Sequence, residues 1–415
     1  MRVRARQLVA NVVSGEWLTP ERMLGYCATL LVFEVLAFIY FIALANGLVD
    51  AWHSAAGNDF VSFYAAGRLA QDGAPTLAYD RAAHYAMEQL IAGANTTYNF
   101  FYYPPIFLIL CSFLAKLPYA VALVAFEMLT LLAYLWIGRK ILADYKVWFV
   151  IVLLAFPAVF WNALLGQNAL LTASLLGAGL MLLERRPVLA GFILGALAYK
   201  PHFGLLLPIA LIASHNWRAF FAAAGSVALL VAFSIVLFGW ETWQAYLSTA
   251  AGSAATYESG AVDLIGLATP FGAAMVLGAA PSVAYAVQAI AAVAAAVWVG
   301  YVWQQEISLP LRAATLLAAI PITVPIFQYY DLAIIAIAMA FLVKAPRQGG
   351  RMPLERMILA ILYVACLFTG YTNATPRMLI PPAVAAAFFL LVAARAKFEL
   401  ASRAAPALAA PVPAH

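Results

Sequence analysis

Residues 23–48 read MLGYCATLLVFEVLAFIYFIALANGL, with Glu34 as the single charge. As a helix this run is about 39 Å long, more than the ~30 Å hydrocarbon core of a bilayer. Comparable runs recur along the 415 residues, and the chain is 66% hydrophobic and 10% charged, far more apolar than a water-soluble fold needs. They are Leu/Ala/Val blocks without period-two alternation. A lipid-exposed backbone must satisfy its own hydrogen bonds, so the choice lies between helices and a closed barrel, and the missing alternation selects helices. The expectation is an all-α, polytopic integral membrane protein. No small-residue cleavage pattern follows the first run, which reads as a retained helix and not a removed signal peptide.

Charge sets the orientation. The N-terminal segment carries Arg2, Arg4, Arg6 and Arg22 against Glu16 and Glu21, whereas 50–103 carries five acids against Arg68 and Arg81. By the positive-inside rule the N-terminus is cytoplasmic and 50–103 is the first periplasmic loop. The clusters around Arg139, Arg185, Arg218, Lys344–Arg356 and Arg395–Arg403 then also lie inside, which puts the C-terminus in the cytoplasm. The net charge of +5 reports these clusters and points to no nucleic acid. Cys27, Cys111 and Cys366 sit inside apolar runs and read as small core residues.

The first loop reads as two amphipathic interfacial helices, roughly 60–71 and 80–92, split by Asp72-Gly73-Ala74-Pro75. The aromatic run Tyr98–Tyr103 before Pro104-Pro105 reads as an outer-interface belt at a helix start. The segment 104–138 is too long for one span and reads as a broken helix or a short-plus-full pair. Runs at about 147–164 and 168–183 follow. Both ends of 187–214 look cytoplasmic, so two half-helices hinged at Tyr199-Lys200-Pro201-His202 are expected. The run 218–239 leads to a second periplasmic loop, 240–280. Spans at about 281–303, 310–326, 328–344, 354–372 and 376–395 complete roughly twelve membrane segments in a single transmembrane domain, 1–415. The Ala/Pro-rich end, 404–415, reads as a disordered tail.

Charges in or beside a bilayer are costly, so each is a functional candidate. Asp59 opens a predicted helix. It reads either as a cap that accepts backbone N–H bonds or as a catalytic carboxylate. Arg68 is placed to pair with Asp72 at i+4. Lys200 needs an anion: a structural partner in Glu34, Glu127 or Asp331, or a phosphate with His202 beside it as a donor. Gln167 and Asn168 occupy a turn, as simple turn residues or as hydrogen-bonding groups for a polar ligand. Asp331, after Gln328-Tyr329-Tyr330, reads as a cap or as a pocket residue. Arg377 is one of few outer cations and suits an anion. No Walker loop, Rossmann glycine pattern, CxxC or HExxH occurs.

Taken in order, these segments resemble glycosyltransferase family 87, membrane enzymes of the GT-C class. The resemblance rests on Asn58-Asp59-Phe60, Tyr64-Ala65-Ala66-Gly67-Arg68, Ala78-Tyr79-Asp80, Tyr103-Pro104-Pro105, Gly166-Gln167-Asn168, Lys200-Pro201-His202 and Tyr330-Asp331-Leu332. It implies a GT-C-type fold in a bacterial inner membrane. It also implies inverting transfer of a sugar, often mannose, from a polyprenyl-phosphate donor to a lipid or glycan acceptor on the periplasmic side. Asp59 matches the family's general base. His202 stands where the family pattern has Gln, and Pro325–Tyr329 lacks a His that some members carry. Tyr64, Arg68, Tyr103, Gln167, Asn168, Lys200, His202, Gln328, Tyr330, Asp331 and Arg377 are the expected substrate-binding residues. The lipid-phosphate sugar is a co-substrate that cations can hold, so neither a cofactor nor a divalent metal is required. Membrane lipids are the surroundings. The competing reading is a secondary transporter or flippase, suggested by the broken segment at Lys200-Pro201.

Overall fold

The computed structural model describes residues 13–44, 57–258, 264, 266–347, 350, 352–370 and 379–408. Among them the regular elements are helices, beside one isolated antiparallel bridge between Leu267 and Gln328. Helix α1, Pro20–Ala43, starts at Thr19, whose hydroxyl accepts from the Arg22 N–H at 3.3 Å. Phe33, Leu36, Ile39 and Tyr40 on it are each more than half exposed. A single helix showing that much apolar surface is solvated by lipid tails.

The first loop folds as α2 (Asn58–Gln71), a 3₁₀ turn (Pro75–Tyr79) and α3 (Arg81–Ala92), with Asp80 capping α3 through the Ala83 N–H at 2.8 Å. The breaker Asp72–Pro75 falls where expected. Phe60 to Gly67 and Leu69 of α2 are buried, while Arg68 and Gln71 are exposed. Most of the helix therefore packs against the rest of the protein, with Arg68 on its exposed face. The segment 104–138 resolves into a short-plus-full pair, α4 (Pro105–Leu114) and α5 (Tyr119–Ile141), with the break at Pro118.

The run 147–164 is not continuous. Pro157 divides it into α6 (Phe149–Leu154) and α7 (Pro157–Leu165), since proline offers no N–H to a preceding turn. After α8 (Ala169–Leu182) comes α9 (Pro187–Gly195), with a 3₁₀ turn Ala196–Tyr199. Lys200 leaves helical geometry at φ −127 and ψ 70, as the residue before a proline does. A 3₁₀ turn, Pro201–Gly204, and α10 (Leu206–Ala213) lead away. Next is α11, Trp217–Phe238. A Cβ on Gly191 or Gly195 would meet the carbonyl oxygens of Ala219 and Ala223 at 2.3 and 2.6 Å. This rising register makes α9 and α11 parallel, so α10 carries the chain back between them. Residues 187–213 form a re-entrant pair with Lys200 at its tip, as the hinge expectation requires.

The segment 240–280, read as a loop, is mostly helical: α12 (Trp240–Glu258) and α13 (Pro270–Val276), the latter capped by Thr269 onto the Gly272 N–H at 3.0 Å. The chain continues as α14 (Pro281–Gln304), α15 (Leu309–Thr323), a 3₁₀ turn Tyr329–Leu332, α16 (Ala333–Lys344), α17 (Glu355–Ala365) and α18 (Ile380–Leu408). Helix α18 runs through the start of the segment 404–415 that was expected to be a disordered tail. Helices α15 and α16 bury nearly every residue and form the centre of the main core. Among the described residues, α1, α5, α11 and α14 have the length and apolarity to cross a bilayer. The expected segments at α4, α8, α9, α10 and α15 are shorter apolar helices.

Candidate active site

Two glycines bring the site together. Gly57 (φ 65) starts α2, and Gly166 (φ 67) turns α7 into α8. A Cβ on Gly166 would lie 2.6 Å from the Phe60 Cβ and 3.1 Å from the Gly57 Cα. Only two bare, left-handed turns can pack this closely. Their contact seats the Gly166-Gln167-Asn168 turn on the first turn of α2, beside Asp59. Asp59 is therefore not a cap, because the N-cap position is Gly57 and no side chain caps the helix. Its Oδ2 instead accepts from Gln167 Nε2 at 2.9 Å. Burial pushes the Asp59 carboxyl up to about 6. The Gln167 hydrogen bond and the Lys200 charge oppose that rise, and the Asp331 charge adds to it.

Asp59 opens on a cavity of about 560 Å³. Lys200, Pro201 and His202 from the re-entrant tip line the same cavity, with Gln328, Tyr329, Tyr330 and Asp331 from the turn before α16. Lys200 Nζ lies 2.9 Å from Asp331 Oδ1, both side chains being buried. Of the three anions the sequence offers Lys200, this is the one it takes; Glu127 instead accepts from Asn162 Nδ2 at 3.0 Å. Asp331 Oδ2 accepts the Gln328 N–H at 3.3 Å. Three rings surround the ammonium: Phe203 at 5.1 Å, Tyr330 at 5.8 Å and Tyr103 at 5.9 Å. Such π-faces stabilise a cation shielded from water. An ammonium has three donors, and Asp331 takes one.

The expected ligands separate into groups. Asp59, Tyr103, Gln167, Lys200, His202, Gln328, Tyr330 and Asp331 line the cavity. Asn168 is fully buried behind it, where its carbonyl accepts from Thr172 Oγ1 at 3.1 Å. Tyr64 and Arg68 are corrections. The Tyr64 hydroxyl donates to the Leu117 carbonyl at 2.6 Å within the core. Arg68 is exposed on the far side of α2 and pairs with Asp72 at 3.8 Å. Arg377, with Tyr371 and Asn373, lies outside the described residues.

Sequence reading missed several wall residues. Asn58 accepts from Asn99 Nδ2 at 3.1 Å, and Ser62 lies one turn beyond Asp59. Tyr98, Phe100 and Tyr102 line the cavity while Phe101 between them is buried. Asn99 and Tyr103 line it too, so the segment Tyr98–Tyr103 forms one wall of the cavity with Phe101 turned into the core. Tyr246 of α12 also lines it, from the segment read as a loop. Behind the wall, Glu88 Oε2 accepts the Asn99 N–H at 3.0 Å. Burial pushes Glu88 up to about 8 and its neighbour His84 down to about 4.

Two carboxylates, Asp59 and Asp331, and one ammonium caged by aromatic rings thus face a shared cavity in a chain whose described residues include four helices long and apolar enough to cross a bilayer. The family model for glycosyltransferase family 87 matches residues 101–328, more than half of the chain. The chain belongs to that family and is a membrane glycosyltransferase. The match includes Tyr103, Gln167, Lys200, His202 and Gln328; Asp59 precedes it, and Tyr330 and Asp331 follow it. No curated protein and no solved structure matches the chain.

Proposed function

We propose that the protein transfers a sugar, mannose in this reading, from a polyprenyl-phosphate donor to a lipid or glycan acceptor, with inversion and with Asp59 as general base. The observation that carries the proposal is the meeting of Asp59 and Lys200 at one cavity in a family 87 chain. A sugar or lipid hydroxyl is a poor nucleophile. Asp59 takes its proton as the oxygen attacks the anomeric carbon. The bond from that carbon to the phosphate oxygen breaks, and its electron pair leaves with the phosphate. Lys200 offers its remaining donors to the charge that develops there, and Arg377 is the second candidate cation. The second carboxylate, Asp331, is engaged by Lys200, so Asp59 as a single base suits direct displacement.

The positive-inside pattern supports cytoplasmic termini and a cavity on the periplasmic face of a bacterial inner membrane. The exposed apolar flanks of α1 and α11 supply a lipid boundary along which an isoprenoid tail can lie. To test the donor class, the purified protein in proteoliposomes receives sugar-labelled polyprenyl phosphate or the matching nucleotide sugar. Label should reach lipid or glycan acceptor from the first alone. Transfer from the nucleotide sugar, or uptake of a glycolipid with no new glycoside, would overturn the proposal.

A further inference from the structure

We infer that Gln167 is the positioning residue of Asp59: it holds one carboxylate oxygen so that the other faces the acceptor hydroxyl, and it does not itself bind substrate. The inference rests on Asp59 being the base. Gln167 is buried at 4% exposure, and its side chain is fully engaged by protein. Its Oε1 accepts the Asn168 N–H at 2.9 Å. This fixes the amide orientation, since a flip would set an N–H against an N–H and a carbonyl oxygen against a carboxylate. Nε2 then donates to Asp59 Oδ2 at 2.9 Å and to the Tyr330 hydroxyl at 3.1 Å. An amide nitrogen has two protons, so none is left for a ligand.

The consequence falls on Asp59. Oδ2 is occupied, and among the described residues Oδ1 takes no hydrogen bond, so Oδ1 is the atom free to accept a proton. The Gly57–Gly166 contact keeps Gln167 and Asp59 in register, because neither turn can slide without a clash. The donor's neutrality matters as well. A cation at this distance would hold the carboxylate as a weak base. Here Lys200 is kept on Asp331, and the neutral amide orients Asp59 while leaving it basic. The other charged or titratable groups that act on Asp59 or respond to it are Asp331, Glu88 and Tyr103, with Tyr330 beyond the amide.

The test compares wild type, Gln167→Met, Gln167→Glu and Asp59→Asn in proteoliposomes with a polyprenyl-phosphate mannose donor. Methionine keeps the length of glutamine without its amide; glutamate keeps the acceptor for Asn168 and loses the donor. Loss of a charge-assisted hydrogen bond lowers kcat about ten- to a hundredfold at neutral pH. Donor KM stays within about threefold, as expected when ground-state binding is untouched. The acid limb of the rate profile moves up by about one pH unit in Gln167→Met and further in Gln167→Glu, so the deficit shrinks at alkaline pH. Adding Gln167→Met to Asp59→Asn costs nothing more. A raised KM with an unmoved limb makes Gln167 a substrate ligand and overturns the inference, as does a wild-type profile. Should Gln167→Met lose its heat-unfolding transition, Gln167→Glu gives the same reading. Full activity of Asp59→Asn instead sinks the base assignment, whatever Gln167 does.

Discussion

Lys200 and Asp331 form a buried ion pair at the cavity, while Arg347, Glu355, Arg395 and Glu399 form a second buried cluster where α17 begins and along α18. The second is balanced and closed. Arg395 pairs with Glu355 at 3.3 Å and Glu399 at 2.6 Å and donates to the Pro346 carbonyl at 3.1 Å, while Arg347 reaches Glu355 at 3.0 Å. Two cations meet two anions, and Arg395 is fully buried. The first is unbalanced and open. One ammonium faces two carboxylates, Asp331 and Asp59, across a space large enough for a ligand. A charge-balanced cluster packed away from any cavity holds helices; a pair that borders a cavity can also meet a ligand.

Substitutions can break that contrast. The largest effect on turnover is expected at Lys200→Met, which removes a preorganised donor to the leaving phosphate and lowers transfer about 10²–10³-fold. Asp331 can then be rehydrated from the cavity, so heat stability falls less than at the second cluster. Arg395→Met strands Glu399, leaves Glu355 with Arg347 alone, and lowers stability by about 3–5 kcal/mol. Turnover per folded molecule should stay within about twofold. Thermal unfolding in detergent and transfer assays on the same samples separate the two outcomes. If Arg395→Met lost turnover as Lys200→Met does, the division between holding and reacting would be wrong.

The pH profile sharpens the contrast at smaller scale. Asp59 must be ionised to act, and burial pushes it up to about 6, so wild-type kcat/KM should fall below about that pH. The stability sign is opposite. Between 3.8 and about 6 the folded protein holds a proton that the unfolded chain releases, so stability drops as pH rises through that window. Asp59→Asn should therefore unfold at a higher temperature than wild type near neutral pH, with the gap closing towards pH ~4. The smallest effect belongs to Arg68→Ala. Its exposed pair with Asp72 contributes at most about 1 kcal/mol, and transfer should be unchanged.

Lone charges in apolar surroundings were legible in the sequence, and so were Asp59, Lys200, Asp331 and the hinge at Pro201. What escaped was phase. On a helix Arg68, nine residues from Asp59, is about 180° away around the axis, whereas Ser62 and Phe63 share the Asp59 face. That reading excludes Arg68 from the cavity and admits Ser62. Tyr64 is about 140° from Asp59 by the same count, and it points into the core. The segment 240–280 misled because its Trp and Glu residues resemble an exposed loop, while α12 was set by packing of Tyr246 and Trp243 on the first-loop core. The partner of Lys200 stayed open until the fold was known, since three acids met the same charge requirement and only tertiary approach selects one.

The central claim is that Asp59 removes the proton from the acceptor. Its most direct test measures sugar transfer and donor binding side by side for wild type and Asp59→Asn. Donor affinity should stay within about threefold while the transfer rate falls by about 10²–10⁴. Transfer at the wild-type rate by the asparagine variant would contradict the claim.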